Sequence, residues 1–245
     1  MPDPPQSPAW RLFIALPVPE PVKDEIRRLQ QELRRLAPGD GVRWVRSEQI
    51  HLTLVFLGKV DPARRDALVA ATREAVSKPR NSRRQEAPFP ICNLQSAISN
   101  RCEPSHVGCD SFERVSLETS QGCGPFALRA TGVGFFPHER RPRVLWVGLQ
   151  DKAGELSALQ EKVKTATAPF AEKPEDRDFS AHLTLARINR LRPAEAQALT
   201  GRVRALTGRG LGEWTADRLE VMRSELHPEG SRYSCLAEIV LRDAA

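Results

Sequence analysis

The tetrapeptide His-Leu-Thr-Leu occurs twice, at His51 to Leu54 and at His182 to Leu185, in a chain of 245 residues with only five histidines. The repeat extends beyond the motif. At the same 131-residue offset, Pro62 matches Pro193, Ala63 matches Ala194, Ala67 matches Ala198 and Leu68 matches Leu199. Upstream, RLFIAL from Arg11 lies 40 residues before the first motif histidine, and RVLWVGL from Arg143 lies 39 before the second. A chain that contains itself twice is constrained to two similar supersecondary units, each covering part of the other's apolar surface.

The hydrophobic pattern supplies the contents of each unit. Val22, Ile26, Leu29, Leu33 and Leu36 recur at helical spacing between Pro19, Pro21 and Gly39, and Leu156, Leu159, Val163 and Ala166 do the same in the second half. Pro62 and Pro193 stand where a first helical turn tolerates proline, ahead of Leu68 to Val76 and Leu199 to Leu206. Each half therefore reads strand, helix, HLTL strand, helix. Alternation predicts further strands over Phe126 to Phe136 and over Tyr233, Cys235, Ala237, Ile239 and Leu241, with one bulged strand over Glu213 to Leu226. Two sheet-plus-helix lobes related by a pseudo-twofold axis are the expected result.

Composition narrows the class. With 40% hydrophobic and 28% charged residues, the chain can bury a core without disulfides. The net charge of +6 suits a polyanionic partner. The N-terminal stretch lacks a basic region followed by an apolar run, and nowhere do 18 apolar residues stand together, so no membrane association and a cytoplasmic location are expected. Five cysteines, four of them between Cys92 and Cys123, do not form a secreted disulfide pattern.

On a strand, alternate side chains share a face, which places His51 with Thr53 opposite Leu52, Leu54 and Phe56, and His182 with Thr184 opposite Leu183 and Leu185. Symmetry would bring both His/Thr pairs to one cleft. Two imidazoles with ordinary pKa values near 6.5 can hold one proton between them, so that one takes a proton from an oxygen while the other delivers one. Threonine hydroxyls two residues away can donate to a phosphoryl group held between the histidines. A shared metal lacks a third protein ligand at usable spacing, so no metal and no other cofactor are expected at the pair.

The two HLTL motifs, together with RLFIALPVP, VRWV and RPRVLWVGL, closely resemble the two-histidine (2H) phosphoesterases. Within them the nearest likeness is to the RNA 2′,3′-cyclic phosphodiesterases, historically called 2′-5′ RNA ligases. The resemblance covers about residues 10 to 77 and 125 to 243. It implies a bilobal α/β (α+β) fold with two antiparallel sheets and flanking helices around a central cleft. The activity it implies is metal-independent hydrolysis of RNA 2′,3′-cyclic phosphate ends to 2′-phosphates, with a weak reverse reaction that joins RNA through 2′-5′ bonds. His51 and His182 become the acid/base pair, with His182 favoured to activate water and His51 to protonate the departing 3′ oxygen. Thr53, Thr184 and Arg187 become the phosphate-binding residues. Strict alternation, however, places Arg187 on the leucine face, so reaching the phosphate requires a bulge or the strand's end. Trp44, Trp146, Phe13 and Phe136 are candidates to stack on nucleobases.

The chain departs from this pattern over 77–124, which is rich in Ser, Arg, Asn and Cys and has no sustained hydrophobic period. It reads as a flexible insertion within one domain spanning 10–243, preceded by a disordered 1–9 segment and acting as a monomer. Cys102, His106, Cys109 and Cys123 are the alternative zinc reading of that insertion, although their spacing matches no familiar zinc pattern. The alternatives for the whole chain are a phosphodiesterase of the same fold acting on another cyclic nucleotide or oligonucleotide, and a non-catalytic RNA-binding module.

Overall fold

The structure is a computed structural model that describes residues 9–77, 123–174, 178–227 and 230–242. The elements run β1 (Trp10–Pro17), α1 (Glu20–Arg34), β2 (Val42–Trp44), β3 (His51–Val60), α2 (Arg65–Ser77), β4 (Phe126–Phe136), β5 (Val144–Gln150), α3 (Glu155–Thr167), β6 (His182–Ile188), α4 (Pro193–Ala205), β7 (Gly210–Ala216), β8 (Arg218–His227) and β9 (Gly230–Val240). They build two antiparallel sheets, in the orders β3-β1-β8-β9 and β2-β6-β5-β4-β7. Each half has the expected strand, helix, HLTL strand and helix.

The internal repeat is a repeat of hydrogen-bond register. In the first sheet Pro17 faces His51, Leu16 faces Leu52, Ala15 faces Thr53, Ile14 faces Val55 and Phe13 faces Phe56. In the second, Gly148 faces His182, Val147 faces Leu183, Trp146 faces Thr184, Leu145 faces Ala186 and Val144 faces Arg187. Every pair moves by 131 residues, so Phe13 corresponds to Val144, one residue away from the match that the two RLFIAL-like strings suggest. Both ladders skip one residue at the same place. Leu54 in β3 and Leu185 in β6 have no partner across the ladder, which is the signature of a bulge.

The bulge corrects the face expected for Phe56. Leu54 and Val55 are both buried, and so are Leu185 and Ala186, so alternation slips by one residue and the next side chain emerges on the histidine face. Phe56, expected opposite His51, is 40% exposed. Arg187 is exposed at the equivalent position, through the bulge its assignment required. A second correction concerns Glu213 to Leu226. This stretch is two strands in different sheets, β7 against β4 and β8 against β1, separated at Asp217 where the chain crosses between lobes. Cys235 is exposed rather than aligned with buried Ile239, because the β8–β9 ladder also shifts beside it.

The helices interlock the halves. Helix α1 follows β1 of the first sheet but packs on the second, against β7; α3 follows β5 of the second sheet but packs on β3 of the first and on α2. Ile26, Leu29 and Leu33 on α1 and Leu156, Leu159 and Val163 on α3 are buried, each side chain contributing about 1.5–3 kcal/mol. One continuous apolar core results. Gly58, near the end of the HLTL strand, has φ +74°, and a Cβ there would lie 2.6 Å from the Glu172 carboxylate. That close approach lets Glu172 accept the Lys59 N–H at 3.0 Å and donate its own N–H to the Leu57 carbonyl at 2.7 Å. Among the described residues, no helix is long and apolar enough to cross a membrane.

Candidate active site

Strands β3 and β6 approach within 8 Å between Cα atoms, and a cleft of about 330 Å³ opens where their polar faces converge. His51, Thr53, His182, Thr184 and Arg187 all line it. The five residues picked from the sequence are thus brought together.

The two imidazoles are held in the same way. His51 Nδ1 donates to the Gln49 carbonyl at 2.8 Å, and His182 Nδ1 donates to the Ser180 carbonyl at 2.7 Å. A carbonyl only accepts, so each Nδ1 carries the proton and each neutral ring presents the Nε2 lone pair. His51 Nε2 takes a hydrogen bond from the Thr53 hydroxyl at 3.1 Å, a donor that can rotate towards an anion. Gln49 is in turn tied by its side-chain amide to the Ser231 carbonyl at the start of β9.

Their surroundings differ. The His51 ring stacks on Phe13 at 4.8 Å and meets the edge of Tyr233 at 5.3 Å. This burial depresses the His51 pKa to about 4, against the opposing pull of the Gln49 carbonyl, with the charges of His182 and Lys23 adding to the depression. Among the described residues the His182 ring meets the edge of one aromatic ring, Phe136, at 5.0 Å, and Phe136 itself leans on Trp146. Of the four aromatic stacking candidates, Phe13 is buried beneath His51, while Phe136 and Trp146 are half-buried and lean on one another. Trp44 lines the cleft with Arg34 over its ring.

Sequence reasoning missed several lining residues. Phe56 presents an exposed ring with Arg11 over it at 5.5 Å. Its signal was available in the 131-residue offset, which pairs it with Arg187. Tyr233, the chain's one tyrosine, reaches the site from β9. Arg43 and Arg46 flank Trp44 in the VRWVR string and, with Arg11 and Arg187, make four arginines around the cleft. None of the cleft's lining residues is an aspartate or glutamate, and among the described residues no carboxylate pairs with those arginines. Arg43 stands directly across the ladder from Arg187, an arrangement of like charges that is unfavourable until an anion lies between them. A second cavity of about 600 Å³ shares Thr53, Phe56 and His182 with the cleft and has Leu54, Phe136, Gln160 and Phe179 in its wall.

Among the described residues, no group of three or more His, Cys, Asp or Glu is placed to hold a metal ion. Of the alternative zinc set only Cys123 is described, with Lys162 Nζ donating to its Sγ at 3.3 Å. Cys102, His106 and Cys109 lie outside the described residues.

Known proteins resemble the chain in sequence and fold. A relative from Archaeoglobus fulgidus named RNA 2′,3′-cyclic phosphodiesterase is 27% identical over 226 residues, covering 92% of this chain and 97% of its own. One of the same name from Thermus thermophilus is 28% identical over 237 residues, covering 95% and 90%. A solved structure from Thermus thermophilus superposes with a TM-score of 0.64 at 26% identity, covering 95% of this chain and 98% of that one. Escherichia coli LigT, solved with 3′-AMP, shares the fold with a TM-score of 0.61 at 18% identity, covering 95% and 98%. The model of the LigT like Phosphoesterase family matches residues 16–83 and 147–233, stretches that contain both HLTL strands. With more than half its length so matched, the chain belongs to the LigT-like phosphoesterase family.

Proposed function

We propose that the chain hydrolyses RNA 2′,3′-cyclic phosphate ends to 2′-phosphomonoesters without a metal, using His51 and His182 as the acid/base pair. The observation that carries this reading is the matched pair of imidazoles, each with Nδ1 locked on a carbonyl and Nε2 presented to a cleft whose four arginines have no carboxylate partner among the described residues. One neutral Nε2 takes a proton from water as its oxygen attacks phosphorus. The bond from phosphorus to the 3′ oxygen breaks, and the other imidazole, entering protonated, gives its proton to that oxygen. Thr53, Thr184 and Arg187 supply donors to the charge that gathers on the phosphoryl oxygens. One water is consumed, and the pair exchanges roles. A 5′-hydroxyl in place of water would give a 2′-5′ linkage by the same proton transfers.

Either imidazole can begin as the base, because both Nε2 atoms face the cleft; the direction follows from which oxygen each meets. Burial holds His51 neutral while the cleft is empty, so His51 serves as the acid favoured by sequence reasoning only after an anion has entered. Four arginines exceed what one phosphate engages, which favours an RNA end over a lone cyclic nucleotide. One chain supplies both histidines, so we assign 10–243 as a single working unit that acts as a monomer.

The test is a short RNA ending in a 2′,3′-cyclic phosphate, incubated with protein and chelator, with the product phosphate located by its sensitivity to position-specific phosphatases. The expected product is the 2′-phosphate, at a rate that EDTA leaves unchanged. A 3′-phosphate, or turnover that returns only with added divalent metal, would overturn the mechanism. Tight binding of RNA without turnover would establish the binding-module alternative.

A further inference from the structure

The two helices that cross between lobes each carry a glutamine inside their apolar stripe. Gln30 sits among Ile26, Leu29 and Leu33 on α1, and Gln160 among Leu156, Leu159 and Val163 on α3; both are buried, at 6% and 7% exposure. A buried amide is costly unless its hydrogen bonds are made, so its partners indicate why it is there. Gln30 Nε2 donates to the Leu185 carbonyl at 2.9 Å and to the Val45 carbonyl at 2.9 Å. Gln160 Nε2 donates to the Leu54 carbonyl at 3.4 Å. Leu185 and Leu54 are the residues at which the two ladders skip in the same place. Each half thus sends a helix to the other half's sheet and grips the HLTL strand at the residue where alternation slips.

We propose that Gln30 and Gln160 are positioning residues for the reaction, each holding the opposite bulge and so the side chain two residues beyond it: Gln30 sets Arg187, and Gln160 sets Phe56. The proposal rests on the reading of the cleft as a phosphoryl site. Without the bulge, alternation would turn both side chains onto the buried face, away from the substrate. The Leu185 carbonyl also accepts the Val45 N–H at 2.9 Å, so Gln30 further ties the bulge to the strand end that bears Arg43 and Trp44. Neither glutamine lines the arginine-rich cleft, and Gln30 reaches the substrate only through the strand it holds.

The experiment is a double-mutant cycle on kcat/KM for an RNA 2′,3′-cyclic phosphate, using Gln30→Met, which keeps the length of the side chain and removes its donors, with Arg187→Ala. Gln30→Met should lower kcat/KM by about tenfold in the wild-type background and by less than about twofold once Arg187 is gone. Gln160→Met should behave in this way against Phe56→Ala, and keep its full effect against Arg187→Ala. A residue that served stability alone would lose the same factor in every background, and that result would overturn the proposal. Should Gln30→Met fail to fold, Gln30→Asn, which retains the amide on a shorter stem, takes its place in the same cycle. Running the cycle in parallel on the affinity for adenosine 2′-phosphate separates the two readings. Wild-type protein that binds this probe without hydrolysing the RNA refutes the hydrolytic function, while the binding cycle still decides the role of the glutamines. A wild-type protein that does neither overturns both.

Discussion

Phe56 and Arg187 occupy the same place in the two halves: each follows the bulge of its HLTL strand, 131 residues apart, and each faces the cleft. The repeat makes the two sides of the site alike in backbone and unlike in chemistry. Arg187 offers a planar fork of donors for a phosphoryl group, and Phe56 offers an aromatic face.

The difference predicts a split in substrate dependence. Arg187→Ala should reduce kcat/KM on every cyclic phosphate, whereas Phe56→Ala should reduce it only where a base is present to stack. Base-aromatic stacking is worth about 1–3 kcal/mol, roughly five- to 150-fold. Comparing adenosine 2′,3′-cyclic phosphate with the base-free glycerol 1,2-cyclic phosphate reads this out. Equal losses from Phe56→Ala on the two substrates would remove the stacking role.

His51→Ala and His182→Ala should each lower turnover by at least about a hundredfold, because proton transfer by a positioned side chain contributes about 10² to 10⁴. Thr53→Ala and Thr184→Ala remove one hydrogen bond each and should cost less. A p-nitrophenyl phosphodiester separates acid from base, since its leaving group needs no proton. The variant lacking the acid recovers on that substrate, and the variant lacking the base does not. Near-normal turnover of the RNA substrate by either histidine variant would remove it from the mechanism.

Burial of His51 ties both catalysis and stability to pH. An imidazole whose pKa is depressed on folding, here from 6.5 to about 4, favours the folded state fully above the unfolded value and loses that advantage as pH falls towards the folded one. At about 1.4 kcal/mol per pKa unit, the loss between pH 6.5 and pH 4 is about 3 kcal/mol. Denaturant unfolding of wild type and His51→Asn at pH 7 and pH 4.5 should show the wild type losing more stability on acidification. The pH profile of kcat/KM should be bell-shaped, with its acid limb set by His51 near pH 4 rather than near 6.5. An acid limb that stays near 6.5 would show that His51 titrates as an exposed histidine.

How much of this was legible in the sequence depends on the range of the signal. The HLTL repeat was readable because it is local, and it correctly brought His51, Thr53, His182 and Thr184 to one cleft. The bulges were not, because one extra residue in a ladder appears only when the partner strand is known; Phe56 was misplaced for that reason, and the need for a bulge at Arg187 could be stated only as a condition. The exchange of α1 and α3 between sheets depends on long-range packing, although Gln30 and Gln160 had left a trace as polar residues inside otherwise apolar stripes. The break at Asp217 was hidden because β7 and β8 join two runs of strand-like residues with a single residue between them.

The four arginines around the cleft predict dependence on salt and on RNA length. Arg43→Gln with Arg46→Gln should weaken an oligonucleotide substrate more than a cyclic mononucleotide. The slope of log(kcat/KM) against log salt for the oligonucleotide should become shallower by about 0.7 for each phosphate contact removed. An unchanged slope would place these arginines outside the path of the RNA.

The last prediction concerns the stretch 78–122, whose two ends the fold brings together. Helix α2 ends at Ser77, and the Cys123 N–H donates to the Val76 carbonyl at 3.1 Å, so the chain departs and returns at one point on the first lobe. Both halves already have their strand, helix, HLTL strand and helix without the intervening 45 residues. Replacing 78–122 by a linker of about five Gly and Ser residues should therefore preserve folding and hydrolysis of a small cyclic phosphate. Each doubling of a flexible loop adds about 0.6 kcal/mol of closure entropy, so a roughly ninefold shortening should stabilise the protein by up to about 2 kcal/mol. Binding of longer RNA should weaken, since the positive charges of Arg80, Arg83 and Arg84 are removed with the stretch. The deletion is judged by denaturant unfolding and by kcat/KM on the small substrate. An insoluble variant, or one that folds without turning that substrate over, would show that the stretch belongs to the core or completes the site.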